Sequence, residues 1–329
     1  MPVTISCEND IGVTVVLVHR PWQAAIFFNQ QANNVILITG ATGRIGRRVV
    51  AGLVSADQPV RVLVRDKEKA KRILPTGIEV FTGNLADYDL VQSAIDGTES
   101  VMLLSPVDPM QVKLQGNIVN AAMATSHPYI VKISGLGTAL DSYVDSGRWH
   151  AETEPQIQSC GLPHTFLRPL FYMQNLAFLI DSARSEGIIR AGVGKSKIEM
   201  VDADDVAEVI VKLLICRNIN VNQKVTLTTA KSVTYDQVAG FFAQVLEREV
   251  SYEQQSLEDV RQALRKSNQP EWHINILLQF NRAFLEGMGD VPNNVVEDLL
   301  GRPAKALLEY LQAEVEQSAA DQSSNPFPS

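Results

Sequence analysis

One twelve-residue stretch constrains this chain more than any other: Val35-Ile-Leu-Ile-Thr-Gly-Ala-Thr-Gly-Arg-Ile-Gly46. Its first five residues read as a buried strand, and the amphipathic run from Arg44 to Ser55 reads as a helix. Three glycines fill the turn between them. In such a turn the first glycine permits a tight bend, the second lets backbone amides approach a bound group, and the third lets the helix close on the strand. The helix start then presents unsatisfied N–H groups and the positive end of its dipole. A strand, this turn and a helix together form a receptor for phosphate, and Gly40, Ala41, Thr42, Gly43, Arg44, Ile45 and Gly46 are its candidate residues.

Beyond the turn, short β-branched runs alternate with amphipathic stretches, the pattern of βαβ units. Strands are expected at Val35–Thr39, Val60–Val64, Ile78–Phe81, Ser100–Leu104, Tyr129–Ile133 and His164–Leu167, with helices at Arg44–Ser55, Lys67–Leu74, Asp87–Ile95, Gln111–Thr125 and Arg148–Cys160. Several strands are apolar almost throughout, as when helices cover both faces of a parallel sheet. The fold class that follows is α/β, a Rossmann-type doubly wound parallel sheet with a smaller, mainly helical C-terminal substrate domain. The expected organisation is an extension over 1–34, a dinucleotide-binding core over 35–170, a substrate-pocket region with returning core elements over 171–316, and a flexible tail over 317–329. The extension reads as disordered or non-native, with an extra strand at Val13 to Val18 as the alternative. Short strands are also expected near Val225 and Val250, and Leu257 to Glu316 is helical in pattern, punctuated by Pro270, Pro292 and Pro303.

A formal net charge of −8 gives no support to general nucleic-acid binding. Cys7, Cys160 and Cys216 are too few and too scattered for a disulfide framework or a metal cluster, so a cytoplasmic setting and no metal are expected. The apolar stretch Val13 to Val18 ends at His19, far short of the ~20 residues a membrane span needs, so no membrane partner is expected.

The GxxGxxG spacing resembles the short-chain dehydrogenase/reductase superfamily, and more closely its atypical, NmrA-like branch. That branch includes NADPH-dependent quinone and triphenylmethane-dye reductases alongside redox-sensing regulators. The resemblance runs from Val35 to about Glu316. It is carried by the glycine loop, Val60-Arg-Val-Leu-Val-Arg-Asp66, Gly83-Asn-Leu-Ala-Asp87, Ser159-Cys-Gly-Leu-Pro-His-Thr-Phe-Leu-Arg-Pro169 and Leu300-Gly-Arg-Pro303. It implies adenine contacts from Asn84 and Leu85, backbone contacts from Ser105 and Pro106, and a cofactor contact at Ser134.

Charge bears on the choice of cofactor. A carboxylate at the end of the second strand accepts hydrogen bonds from the free ribose hydroxyls of NAD but repels a 2′-phosphate. Here Arg65 takes that place, Arg44 lies in the glycine loop and Lys69 follows, a set suited to clamping a phosphate. NADP(H) is favoured over NAD(H). Asp66 dissents, since a shift of one position would put its carboxylate at the ribose.

Most members of the superfamily use a tyrosine and a lysine four residues later as the acid/base pair. None of the seven tyrosines has a lysine at that spacing. His150, one helical turn before Glu154, is the candidate catalytic residue, either donating a proton or orienting a substrate. A polar pair that fixes the helix is the other reading. Phe171, Tyr172 and Asn175 follow the sixth strand and suit a flat apolar acceptor, although a core-packing helix would look the same. Reduction of a small conjugated acceptor is the expected activity. Two alternatives stay open: an NADP(H)-binding redox sensor with a regulatory protein partner, and a reductase or isomerase of specialised metabolism.

Overall fold

Val35–Thr39 forms the central strand β1, whose Ile36, Leu37 and Ile38 are all buried, so both faces of the sheet around it are covered. The computed structural model describes residues 35–324; the extension over 1–34 and its alternative strand lie outside the described residues. After β1 come α1 (Arg44–Ser55), β2 (Val60–Val64), α2 (Lys67–Ile73), β3 (Glu79–Thr82), α3 (Tyr88–Ile95), β4 (Thr98–Leu103), α4 (Gln111–Ala124), β5 (Tyr129–Ile133), α5 (Asp145–Ser159) and β6 (His164–Pro169). There follow β7 (Phe171–Tyr172), a 3-10 helix (Met173–Leu179), α6 (Ile180–Glu186), β8 (Ile188–Ala191), β9 (Ile198–Val201), α7 (Ala203–Cys216) and β10 (Gln223–Leu227). The chain closes with β11 (Ser232–Val233), α8 (Tyr235–Leu246), β12 (Ser251–Gln254), α9 (Leu257–Lys266), α10 (Glu271–Leu285), α11 (Val295–Leu300) and α12 (Leu307–Ser324).

The main sheet has seven strands in the order β10-β6-β5-β4-β1-β2-β3. From β6 to β3 every neighbour is parallel, with Ile38 of β1 opposite Val62 on one side and Met102 on the other. The order in which successive strands are added reverses between β1 and β4, with β2 and β3 built outward on one side and β5 and β6 on the other, the position where doubly wound folds open a ligand crevice. This is the Rossmann-type fold.

By packing, the chain divides into two units, and the division does not fall at one chain position. The first holds described residues 35–133 together with Glu152–Leu167 and Ala207–Val225; the second holds Ser134–Ala151, Arg168–Val206 and the described residues from Thr226 onward. In the first, Leu37, Leu63, Val101, Leu103, Ile130 and Phe166 join Val91, Ile95, Ile118 and Ile157 in one apolar cluster. Burying each such side chain stabilises by roughly 1.5–3 kcal/mol. Helices α1 and α7 meet at Gly52, where a Cβ would stand 2.9 Å from Val211.

In the second unit, β9 lies between β7 and β11, β8 pairs with β12, and the 3-10 helix, α6, α8 and α12 surround Leu176, Ile198, Met200, Phe242 and Leu311. The segment expected to be a loose tail from Gln317 is helical as far as Ser324. Leu307, Leu311 and Val315 anchor α12 in this core, and once nucleated a helix extends through Ala, Gln and Ser at little cost.

Two buried aspartates tie the later chain to the start of α7. Asp202 accepts the N–H of Asp204 (2.8 Å), the amide of Gln174 (2.8 Å) and the ammonium of Lys305 (3.1 Å). Asp205 accepts Arg302 at 2.8 Å and the N–H of Lys305 at 2.7 Å. Partial burial works against the charge of Lys305, yet its hydrogen bonds to Asp204 and Asp202 hold its pKa above the ordinary value.

Glu199 on β9 is fully buried without such a cation. One oxygen accepts the N–H and hydroxyl of Thr229, both at 2.5 Å; the other has no hydrogen-bond partner among the described residues. Burial pushes its pKa from the ordinary 4.5 up to about 7, against the pull of Thr229 and with Glu297 adding to the rise. Between those two values the folded chain holds a proton that unfolding releases, so stability falls as pH rises through this window and levels off above it. At ~1.4 kcal/mol per pH unit the loss is on the order of 3 kcal/mol. Denaturant unfolding at pH 5 and pH 7.5 should show this slope reduced by about that amount in Glu199→Gln; equal slopes in the two proteins would refute the assignment.

Candidate functional site

Gly40 has φ +67°, the left-handed region, and a Cβ there would stand 3.0 Å from the Leu104 carbonyl oxygen. Gly43 donates its N–H to Gly40 at 3.0 Å and is the N-cap of α1. At Gly46 a Cβ would overlap the Gly40 carbonyl oxygen and lie 2.7 Å from Ala41 Cα, so only glycine lets the helix approach this closely. Thr39 fixes the end of β1 by donating to the Leu104 carbonyl (2.8 Å) and accepting its N–H (2.9 Å). Ala41 and Ile45 are buried beneath the loop, with Thr42 half-buried.

No side chain caps α1, and its first turn contains no acid. Instead it carries Arg44, with Arg47 and Arg48 just behind. Cations at a helix N-terminus oppose the dipole. An uncapped, arginine-rich helix start is therefore electrostatically complementary to an anion, and fits the phosphates of a dinucleotide.

Because β4, β1, β2 and β3 are parallel neighbours, the residues after their C-terminal ends share one edge of the sheet. That edge gathers the glycine loop, Arg65, Asn84 with Leu85, and Ser105 with Pro106, all in the first unit. Arg65 and Lys69 are exposed, and among the described residues the side chains of Arg44, Arg65 and Lys69 form no ion pair. Asp66 is the N-cap of α2, with one carboxylate oxygen accepting the Lys69 N–H at 2.9 Å. Other basic residues of this segment have structural duties. Arg61 stacks over Phe81 and pairs with Glu79 at 2.7 Å, and Lys71 pairs with Glu68 at 2.8 Å.

Asn84 uses its side-chain oxygen to accept the Ala86 N–H at 3.0 Å, shaping the turn after β3. Leu85 is half-buried, with its carbonyl accepting from Asn117 at 2.8 Å. Ser105 is buried and accepts from Gln115 at 2.9 Å, while Pro106 is exposed. Sequence reasoning missed Gln115. Its signal was an amide four residues after Gln111 on the same face as Ile118 and Ala122, an otherwise apolar stripe of α4.

Ser134, His150, Phe171, Tyr172 and Asn175 belong to the second unit, whereas Glu154 belongs to the first. Ser134 is buried directly after β5, and His150 is half-buried on α5. Glu154, expected to act on His150, is buried with the Lys224 ammonium 3.7 Å from its carboxylate. Phe171 and Tyr172 stand together on β7, opposite Met200 and Val201. Phe171 meets Phe284 edge-on at 6.1 Å, so it serves the core whatever else it does. Burial pushes the Tyr172 phenol far above its ordinary pKa. Asn175 is exposed. Among the described residues no three or more His, Cys, Asp or Glu side chains could together hold a metal ion, and no helix is long and apolar enough to cross a membrane.

The sequence signature of the NmrA-like family matches residues 32–317. The chain is 31% identical over 283 residues to an NAD(P)H azoreductase of Xenophilus azovorans, covering 85% of this chain and 97% of that protein. It is 27% identical over 279 residues to quinone oxidoreductase 2 of Escherichia coli, covering 84% and 96%. Its fold is similar to the crystal structure of an NADPH-dependent quinone oxidoreductase from Escherichia coli, with a TM-score of 0.76, 25% identity, and coverage of 84% of this chain and 98% of that one.

The closeness of Gly46 to the loop backbone is open to a direct check. Gly46→Ala should lose roughly 1–3 kcal/mol in denaturant unfolding through overpacking against atoms that cannot rotate away. Unchanged stability would mean that α1 stands further from the loop.

Proposed function

The chain belongs to the NmrA-like family, and from that premise we propose that it binds NADP(H) and reduces a small, conjugated, quinone-like acceptor. The observation that carries this reading is the uncapped, arginine-bearing start of α1 closed over a glycine loop. The activities named for the azoreductase and quinone oxidoreductase relatives support the same reading.

Backbone amides of Gly43 to Gly46 would hold the pyrophosphate, and Arg44, Arg65 and Lys69 the 2′-phosphate. A carboxylate that faced the ribose would repel that phosphate, but Asp66 has an oxygen committed to capping α2. This favours NADP(H) over NAD(H). Asn84 keeps its amide NH2 for the adenine ring after spending its oxygen on the turn. Ser105, Pro106 and Ser134 would line the path of the cofactor.

When bound, NADPH supplies a hydride. The protein has then to position the acceptor, because a conjugated product takes its proton from water. No tyrosine here has a lysine four residues on, and burial pushes Tyr129 up to about 12, a poor acid at neutral pH. Phe171, Tyr172 and Asn175 are proposed on the acceptor side, with His150 orienting the acceptor or protonating it.

Acceptor-dependent NADPH oxidation, measured against a panel of quinones and azo dyes, tests the activity. Turnover above the enzyme-free rate is expected. Tight NADPH binding with no turnover of any acceptor would replace this reading with that of a redox sensor. Arg65→Ala should weaken NADPH roughly tenfold more than NADH in calorimetry, as loss of one charge-assisted hydrogen bond implies. Equal losses for the two cofactors would remove Arg65 from the clamp.

A further inference from the structure

The second unit contains a cavity of about 370 Å3 between α9, α10 and the first residue of α5. From α10 it is lined by Asn275, Leu278, Gln279 and Arg282, a spacing that places all four on one helix face. Leu257 and Arg261 of α9 stand across from them. The volume suits a small organic molecule, and Leu257 and Leu278 provide apolar wall.

The charges in this cavity do not balance group by group. Asp145 is held by Gln279, whose amide donates to it at 3.2 Å while accepting the Asp145 N–H at 2.9 Å, and it also pairs with Arg148. Glu258 lies 4.0 Å from Arg261 and accepts from Gln262 at 3.3 Å. Arg261 in turn donates to Asn275 at 3.1 Å and pairs with Glu271 at 3.4 Å. Arg282 differs: among the described residues its guanidinium forms no hydrogen bond or ion pair, and it acts only electrostatically, on the Tyr143 phenol. Glu286, the C-cap of α10, accepts the Tyr143 hydroxyl at 2.9 Å instead. An exposed arginine at the rim of a partly apolar cavity, with the neighbouring carboxylates already engaged, presents a planar fork of donors to whatever enters.

We infer that this cavity is a binding site for a small organic anion, its apolar body against Leu257 and Leu278 and its carboxylate, or a similar oxyanion, on Arg282. The inference concerns the second unit by itself and does not depend on the cofactor or the reaction proposed above.

The test is calorimetric titration of the full chain with 2-naphthoate, its neutral counterpart 2-naphthamide, and inorganic phosphate. Naphthoate should bind at least tenfold more tightly than either of the others. Arg282→Gln should abolish that preference, whereas Arg282→Lys should keep part of it. Because Arg282 is exposed and forms no ion pair with a described residue, both variants should melt within about 2 °C of the parent, as surface substitutions do. Equal binding of naphthoate and naphthamide, or naphthoate affinity unchanged in Arg282→Gln, would overturn the proposal. So would a signal lost in Arg65→Ala but kept in Arg282→Gln, which would place the anion at the glycine loop. No naphthoate binding at millimolar concentration would also overturn it, even in a protein that binds NADPH and turns over quinones.

Discussion

The approach of Gly46 to the carbonyl of Gly40 is the contact on which the first unit depends. With no Cβ at 46, α1 can begin directly over the end of β1, and no side chain caps its start. Thr39 holds the end of β1 in place by bonding both backbone groups of Leu104, the residue after β4. The anion receptor proposed at this turn would therefore be made mostly of backbone, held by the packing of a helix on a strand. Around it, Arg44 opens α1 and Arg65 follows β2 at the same edge of the sheet, while Asp66 caps α2.

In the second unit, buried carboxylates divide according to what faces them. Asp202 and Asp205 are buried beside Lys305 and Arg302, and each also accepts backbone N–H groups, so both carboxylates have a cation and hydrogen-bond donors within reach. This explains why Leu300-Gly-Arg-Pro303 stood out in the sequence, since Arg302 answers a buried aspartate almost a hundred positions earlier. Glu199 has hydroxyl and amide donors but no cation, and its pKa moves toward neutrality. Burial is similar in the three, but only Asp202 and Asp205 have a cation within hydrogen-bond distance.

Much of the first unit was legible because its periodicities are strong. Helix α1 and strands β1, β2 and β5 fall where the pattern put them, since each is an unbroken apolar run or a clear amphipathic stripe bounded by turn residues. Strands β7, β8, β9 and β11 were missed because two to four residues carry no period that can be read. The strand expected near Val225 proved to be β10 of the main sheet, a pairing with β6 that no local pattern announces. Of the candidate site, the loop residues were legible from the glycines alone. Gln115 behind Ser105 and the occupation of Glu154 by Lys224 were not, because both arise between segments distant in the chain.

The sequence by itself determined the fold class and the glycine turn between β1 and α1, because glycine spacing and apolar runs act locally: a missing Cβ or a buried face has the same consequence in any surrounding. It also determined that no tyrosine has a lysine four residues on. Which charges are spent and which remain available was decided only by tertiary structure. Arg61 and Arg65 are four residues apart and chemically identical, yet one is consumed by Glu79 and Phe81 while the other forms no ion pair at the edge of the sheet. An ion pair depends on distance in space, and distance in space is what folding adds to the order of residues.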